Sequence, residues 1–367
     1  MKITCAKDDL AKGVQTVSKA VATKSTTPIL ECILIEADTK IRLTGNNLEL
    51  GIQMEIDGEI SEKGTIAVNA KTFSMIVRKL PEGSVTLETK GESEMRLLSG
   101  KVKYNLPIQS GKEYSRLPEI EKKEGILMSE FELKEAIRQT IFSVAGEGAN
   151  KVMTGELFEI NGKDLKVVSL DGHRIAIRNI RLGKSYEAKK VIVPGKTLTE
   201  IAKIISGSPE KMVWIYFTPN HILFEMKGVT AVSRLIEGNY FDVDRLITAE
   251  HDTKMVISKK ELQECIDRAG VLQKEEKKPV VVQIKKDGLE LKVVTPLGTM
   301  DEKIPIKIEG KELEIGFNPQ FLLEMLRAID DEEIEVYLKN AKSPCVIKDE
   351  EKSYLYLILP VNIKNAA

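Results

Sequence analysis

Two patterns of apolar residues follow one another along the chain. In one, apolar and polar residues alternate over short runs; in the other, apolar residues recur at helical spacing within individual segments. Three of these segments share one pattern, in which a short strand and a polar residue precede an amphipathic helix. Their equivalent leucines, Leu10, Leu133 and Leu262, lie 123 and 129 residues apart. The predicted apolar stripes consist of Leu10, Val14, Val17 and Val21 in the first segment, Leu133, Ile137, Ile141 and Val144 in the second, and Leu262, Ile266 and Ala269 in the third.

A second set of helical segments lies midway between the first set. Each reads as a strand, a turn, a short helix, an acidic or Pro/Gly turn and another strand. Phe73, Leu198 and Leu322 mark equivalent positions in this set, at spacings of 125 and 124 residues. Because two independent markers give nearly one period, we predict three tandem copies of one unit. The predicted domains are 1–122, 126–248 and 253–367, with breaks near 122–125 and 249–253.

The residues between these helices predict short antiparallel strands joined by tight turns, as in "CILIEADTKIRLTGNNLELGIQMEI". Each copy is therefore predicted to be an α+β domain with two helices packed on one face of an antiparallel sheet. A helix buries one stripe against a sheet and leaves its other face in water.

The solvent faces of the second helices carry basic residues at matching positions. Arg78, Lys203 and Arg327 stand five positions after the marker residues, and Lys71, Lys196 and Gln320 stand two before them. Positions seven apart lie on one side of a helix. The repetition indicates either a cationic binding face or an ordinary solvated helix surface.

The overall charge gives no independent indication of a nucleic-acid partner. The 367 residues include 55 basic and 56 acidic side chains, so the formal net charge is −1. Any binding driven by charge must therefore come from basic residues that are clustered on one part of the surface.

The sequence has no apolar run long enough to span a membrane and begins without a signal-peptide core, which predicts a soluble cytoplasmic protein. Cys5, Cys32, Cys265 and Cys345 are widely separated, which favours buried thiols over a zinc site or disulfides, and no cofactor is expected.

Only one short segment concentrates groups that could do chemistry. "SLDGHRIAIR" places Asp171, Gly172, His173 and Arg174 between two predicted strands. Asp-Gly is a strong turn signal. The equivalent segments "LTGNNLELG" and "VTPLGTM" have a turn without the histidine or arginine. We interpret the segment as a turn with a binding role, and keep a hydrolase using His173 and Asp171 as an alternative.

The three copies, together with "SLDGHRIAIR", "VIVPGKTLTEI", "SRLIEGNYFDVDRLI", "IGFNPQFLLEML" and "LYLILPV", resemble the bacterial DNA polymerase III beta sliding clamps over the whole chain. The resemblance implies two chains joined head to tail in a ring whose helices line a hole for duplex DNA. It implies a non-enzymatic processivity factor, located with the nucleoid, that tethers the polymerase and meets the clamp loader through linear peptides. The DNA would be bound without sequence readout by Lys24, Lys71, Arg78, Lys196, Lys203 and Arg327.

The resemblance also implies a peptide pocket and a subunit seam. The pocket residues are Met153, Leu170, Gly172, His173, Arg174, Ile175, Phe241, Arg245, Leu246, Asn318, Phe321, Pro344, Leu357, Leu359 and Pro360. Of these, His173 and Arg174 are expected to orient the turn and meet the peptide. The seam residues are Tyr104 and Leu106 of the first copy and Val271 and Leu272 of the third.

The sequence departs from the family pattern at two of these places. Phe241-Asp242-Val243 replaces a proline followed by Asp-Tyr, and Gly195 stands where a basic residue is expected beside Lys196. These differences are compatible with a divergent second clamp. A clamp-fold scaffold that binds partners without DNA loading is the alternative function.

Overall fold

The computed structural model describes residues 1–146, 148–247, 250–272, 279–349 and 351–363. Within these residues the chain forms six α-helices and 24 strands. The helices are α1 (Lys7–Val17), α2 (Ala70–Lys79), α3 (Glu130–Thr140), α4 (Gly195–Ile204), α5 (Lys259–Leu272) and α6 (Pro319–Ala328).

The chain divides into two compact units, and the first comprises residues 1–131 and 200–235. Its strands form one antiparallel sheet of 13 strands, in the order β10-β13-β14-β15-β4-β3-β2-β6-β9-β8-β7-β1-β5. They are β1 (Lys2–Ala6), β2 (Cys32–Ala37), β3 (Ile41–Asn46), β4 (Leu50–Ile56), β5 (Glu59–Glu62), β6 (Gly64–Asn69), β7 (Ser84–Lys90), β8 (Glu94–Ser99), β9 (Val102–Ser110), β10 (Ile126–Ser129), β13 (Met212–Phe217), β14 (His221–Met226) and β15 (Val229–Arg234).

The second unit comprises residues 132–199 and those from 236 onward. It contains a seven-stranded sheet in the order β11-β12-β24-β23-β22-β16-β20 and a four-stranded sheet in the order β19-β18-β17-β21. Its strands are β11 (Gly155–Leu170), β12 (Arg174–Pro194), β16 (Thr253–Ser258), β17 (Val280–Lys285), β18 (Gly288–Thr295), β19 (Gly298–Ile304), β20 (Lys307–Gly310), β21 (Leu313–Phe317), β22 (Glu333–Leu338), β23 (Cys345–Lys348) and β24 (Tyr354–Ile358).

The marker residues of the sequence repeat occupy equivalent, buried places. Leu10, Leu133 and Leu262 lie on α1, α3 and α5, and Phe73, Leu198 and Leu322 lie on α2, α4 and α6. All six side chains are buried, as the stripes predict. The threefold repeat and the α+β class are therefore confirmed.

The predicted helical stripes were too long at two ends. The α1 helix ends at Val17 and continues as a 3₁₀ turn over Ser18–Ala20, so Val21 lies beyond it. The α3 helix ends at Thr140, which leaves Ile141 in a 3₁₀ turn and Val144 outside. Tightened last turns of this kind are common where a helix gives way to a loop.

The strands of the middle copy are shared between the two units. In the first unit β15 pairs with β4, and in the second β12 pairs with β24, so each unit joins part of the middle copy to a neighbouring copy. The domain boundaries given by the sequence stay predictions. Residues 248 and 249 at the second break and 364–367 at the end of the third domain lie outside the described residues.

The four cysteines are buried free thiols, as predicted. Burial raises the pKa of the Cys5 thiol to about 11 and those of Cys265 and Cys345 to about 12, which keeps them protonated and unreactive. In the part of the chain that the structure describes, no helix is long and apolar enough to cross a membrane.

Candidate functional site

Asp171 and Gly172 build the turn between β11 and β12. The Asp171 carboxylate oxygen Oδ1 accepts hydrogen bonds from the backbone N–H groups of His173 at 2.9 Å and Arg174 at 3.1 Å. Gly172 has a φ of +88°, a left-handed conformation that glycine adopts without steric cost. Asp171 therefore folds the turn with its own side chain, as an Asx turn does.

Arg174 is almost fully buried and links this turn to two other segments. Its Nε donates to Asp171 Oδ2 at 2.9 Å, and its terminal nitrogens donate to Glu324 of α6 and to the carbonyl oxygen of Phe142. The guanidinium also lies 4.3 Å from the ring centre of Phe321. Arg174 was expected to meet a peptide. All three of its nitrogens donate to acceptors within the chain, as a buried guanidinium requires. Its contact with a peptide stays a prediction.

His173 brings the turn, α6 and the end of β24 together at the surface. Its exposed ring stacks on Phe321 at 6.1 Å between centres, and its carbonyl oxygen accepts the N–H of Leu359 at 2.8 Å. Asn318 caps α6 by accepting the N–H of Gln320 at 3.0 Å. Residues far apart in sequence thus meet around one surface histidine.

An apolar row lies beside this turn. The register pairs Leu170 with Ile175, Ile175 with Leu357 and Leu357 with Val346, so these four side chains cross three strand boundaries on one face of the sheet. All four belong to one buried cluster, against which Met153 packs. We call these four residues the anchor row.

The segment after β15 supplies exposed apolar side chains near the anchor row. Val243 is buried in the same cluster, whereas Phe241 and Leu246 are 45% and 51% exposed. Leu359, after β24, is 37% exposed. These three exposed apolar residues lie within three positions of cluster members along the chain, and contiguous exposed apolar surface is typical of protein-binding sites.

The remaining predicted pocket residues belong to neither the turn nor the anchor row. Arg245 is exposed and forms an ion pair with Asp242 at 2.8 Å, and Pro360 follows Leu359 directly. Pro344 lines a neighbouring cavity of about 350 Å³. Sequence reasoning missed most of that cavity, which is also lined by Ile177, Tyr337, Val346, Lys348, Lys352 and Leu355.

The first copy has the same hydrogen bond without the same pocket. The N–H of Arg234 donates to the carbonyl of Glu49 at 2.9 Å, as that of Leu359 does to His173. Gly51 follows in the place of Ile175, and a Cβ added to it would lie 2.0 Å from Leu117 Cδ2. The chain's own Leu117 therefore fills the space beside Gly51.

The second helices expose their repeated polar positions, as predicted. Lys71, Arg78, Lys196, Lys203, Gln320 and Arg327 are all exposed. Lys203 bonds to Glu200 at 2.7 Å, and Arg327 lies 3.7 Å from Asp267. Among the described residues, Lys24, Lys71 and Arg78 have no carboxylate within 4 Å. The cations on α2 are thus the least neutralised.

The predicted seam residues divide into exposed and buried ones. Tyr104 and Val271 are 38% and 63% exposed, and Leu272 is half-buried. Leu106 is only 6% exposed, so it belongs to the core of the first unit. Within the described residues, β9 before Ile108 pairs only with β8, and β19 pairs only with β18. Both strands therefore present open edges, which can pair with another chain.

Comparison with known proteins adds a family match for each copy. Residues 1–118, 128–242 and 244–362 match models of the N-terminal, central and C-terminal domains of the DNA polymerase III beta subunit. The chain is 35% identical to the beta sliding clamp of Bacillus subtilis, covering 98% of this chain and 99% of the relative. A solved structure described as a putative DNA polymerase III beta subunit from Eubacterium rectale is 53% identical and superposes with a TM-score of 0.96, covering 99% of this chain and 100% of that one. The solved B. subtilis clamp is 34% identical, with a TM-score of 0.95 and 99% of both chains covered.

Proposed function

The chain belongs to the DNA polymerase III beta subunit family and is a DNA sliding clamp of three tandem clamp domains, and we propose that it acts as a closed homodimer holding partner proteins through the surface around His173. The match of all three domain models along one chain is the observation that carries the clamp function. Our proposal covers four further features, namely the closed ring, its seam, the DNA-facing residues and the peptide pocket.

The exposed second helices support a loose contact with the DNA backbone. Cations repeated at one position in each copy suit a duplex whose phosphates repeat regularly, and contact with phosphates carries no sequence information. Partial neutralisation of Lys203 and Arg327 by neighbouring carboxylates weakens each contact. Weak and repeated attraction suits a protein that must slide.

Retention on plasmid DNA tests ring closure directly. Purified protein is loaded on nicked circular plasmid with its clamp loader, and the plasmid is then cut once. We expect retention on the circle and loss after cutting, because a ring leaves DNA at a free end. A clamp-fold scaffold without DNA loading, the alternative function, would give equal low retention on both forms.

The surface around His173 supports docking of short peptides. The anchor row offers an apolar floor, Phe241, Leu246 and Leu359 offer exposed apolar contacts, and backbone groups of the turn are held rigidly. A few apolar anchors usually dominate such binding. Polymerase and clamp-loader subunits are the proposed peptide donors.

Leu359→Asp is the substitution that tests the pocket. A carboxylate at this 37% exposed position should reduce affinity for partner peptides at least about tenfold, since it adds an unpaired charge to an apolar contact. Calorimetry measures the affinity, and sedimentation should show an unchanged dimer. Unaltered peptide affinity would place the pocket elsewhere.

We also propose that the clamp catalyses no reaction of its own. The hydrolase alternative requires Asp171 to orient or activate His173, but its carboxylate accepts two backbone N–H groups and the Nε of Arg174. The His173 ring stacks on Phe321. These contacts favour a structural and binding role for the turn.

A further inference from the structure

We propose that the cavity beside the anchor row binds an acidic segment of the same partner peptide, held by Lys348 and Lys352. The proposal rests on the peptide docking described above and specifies the chemistry of the residues that flank the apolar anchors. We call this cavity of about 350 Å³ the flank pocket.

The register of the seven-stranded sheet makes the flank pocket continuous with the anchor row. Two residues along from Ile175 and Leu357, Ile177 pairs with Leu355, and Leu355 pairs with Lys348. Residues two apart on a strand share a face and lie about 7 Å apart. A second row therefore adjoins the anchor row on the same face, and it changes from apolar to cationic at its end.

A third row on this face is polar. Lys166 pairs with Asn179, two residues before Val168 and two after Ile177 respectively. The side-chain amide of Asn179 donates to the carbonyl oxygen of Lys352 at 2.8 Å, so Lys352 lies at the same end of the pocket. The surface thus passes from apolar to cationic over about 13 Å. This gradient suits an extended chain with an apolar end and an acidic end.

The lysines of the flank pocket are not equally available. Lys166 is paired with Asp244 at 2.5 Å and Lys339 with Glu250 at 2.7 Å, so both are neutralised locally. Lys348 lies 4.4 Å from the ring centre of Tyr337. Among the described residues neither Lys348 nor Lys352 has a carboxylate within 4 Å.

Glu335 lies opposite Lys348 in the sheet, but its carboxylate is already engaged. It pairs with Lys254 at 2.5 Å and accepts the hydroxyl of Tyr337. Those contacts hold the pKa of Glu335 below its usual range. The charge of Lys348 is the smallest contribution to that lowering. Among the described residues, Lys348 and Lys352 therefore keep a cationic surplus at the end of the pocket.

The combination of an apolar floor and surplus positive charge indicates what the flank pocket binds. An extended peptide advances about 3.4 Å per residue, so a peptide seated on the anchor row reaches Lys348 and Lys352 with about four more residues. A free inorganic anion would use the lysines but not Ile177 and Leu355. A partner peptide with a carboxylate about four residues from its apolar anchors uses both.

Four fluorescent peptides test the proposal. Each contains the same apolar anchor, which consists of two leucines and a phenylalanine to match the apolar floor of the anchor row. Two carry a Glu-Glu pair four residues before or after the anchor, and two carry Gln-Gln at the same places. Fluorescence anisotropy measures their affinity for the full-length clamp and for three variants: Lys348→Gln with Lys352→Gln, Lys286→Gln as an exposed lysine on another turn, and Leu359→Asp.

One of the two Glu peptides should bind the wild-type clamp about fivefold more tightly than its Gln partner at low salt, in the range of a partly exposed charge pair. The gain should disappear in the double lysine variant, persist in Lys286→Gln and shrink as salt rises. Equal binding of Glu and Gln peptides in both orientations would overturn the flank pocket while leaving Leu359-dependent docking intact. Failure of all four peptides to bind the wild type would overturn the peptide pocket as well.

Discussion

Arg174 connects the turn after β11 to α6 and to the segment after α3. Its donors bond to Asp171, Glu324 and Phe142, and only 8% of the residue is exposed. The planar guanidinium can satisfy these acceptors together, whereas a lysine ammonium is a single point of charge. The orientation of His173, which follows from the turn, therefore depends on this one side chain.

Arg174→Lys should lower the free energy of unfolding of the clamp by about 2–4 kcal/mol. The single ammonium group of lysine cannot reach both carboxylates, so either Asp171 or Glu324 loses its donor. Urea unfolding measures the change through the shift of the midpoint at constant slope. Arg181→Lys is the matched control, since Arg181 pairs with Asp164 at the surface and is 69% exposed. Equal midpoints for the two variants would show that Arg174 carries little of the stability.

Glu156 is a fully buried carboxyl group on β11. Its Oε1 lies 2.9 Å from Thr140 Oγ1, which is also 2.7 Å from the carbonyl oxygen of Ala136. One hydroxyl proton cannot serve both acceptors. If Thr140 donates to Ala136 and a protonated Glu156 donates to Thr140, both bonds form. Burial raises the pKa of Glu156 to about 8, which is consistent with a neutral group.

This raised pKa predicts a loss of stability with rising pH. Between the ordinary carboxyl pKa of about 4.3 and the folded-state value the folded chain binds more protons than the unfolded chain, so stability falls as pH rises towards 8. Glu156→Gln should therefore remove part of the fall in melting temperature between pH 6 and pH 9, by at least about 3 °C.

Scanning calorimetry of wild type and variant at both pH values measures that difference. Glu159→Gln is the control, because Glu159 lies on the same strand but pairs with Lys190 at 2.7 Å and is not fully buried. The same pH slope in wild type and Glu156→Gln would mean that Glu156 titrates near its ordinary value.

The sequence predicted where the helices lie more accurately than it predicted where they end. Burial of one stripe and exposure of the repeated basic positions follow from a period of 3.6 residues within one segment. The ends of α1 and α3 depend on where the chain tightens into a 3₁₀ turn, which the periodicity does not record. For this reason Val21 and Val144 were wrongly included in helices.

The binding surface could not be predicted in full, because it depends on contacts between segments that are far apart in sequence. The turn at Asp171 was visible from Asp-Gly, but the partners of Arg174 come from α6, about 150 residues away. The flank pocket depends on the pairing of β12 with β24 and of β24 with β23. Strand registers between distant segments are set by the assembled sheet, so Ile177, Leu355 and Lys348 could not be selected from sequence.

The exposed second helices lead to a prediction about DNA. Arg78→Glu combined with Lys203→Glu should weaken loader-dependent retention on nicked plasmid most strongly at low salt. It should also flatten the dependence of retention on salt, because fewer counterions are released per bound clamp. Lys227→Glu with Lys286→Glu makes the same change of charge at turns outside the helices. Matching salt profiles for the two double variants would show that the helix faces do not meet DNA.

For the whole molecule, the proposed ring depends on a seam between open strand edges. Val271 is 63% exposed at the end of α5, and Leu272 lies close to the turn that begins β19, with a Cδ2 atom 3.7 Å from a Cβ built on Gly298. Exposed apolar groups beside an unpaired edge favour association with a second chain. Leu106 is unsuitable as a probe, because a charge at this buried position would damage the fold itself.

Val271→Asp should convert the dimer to monomers, because it places a carboxylate in the apolar part of the seam without disturbing either core. Sedimentation velocity at micromolar concentration measures the mass, and circular dichroism checks that the fold is retained. Leu48→Asp, at an exposed apolar residue in the turn between β3 and β4, should leave the dimer intact. The monomeric variant should also lose retention on nicked plasmid, because an open chain cannot enclose DNA.

If Val271→Asp stays dimeric and is retained normally, the seam lies at other residues. If it is monomeric but still retained on the circle, the clamp holds DNA without closing a ring.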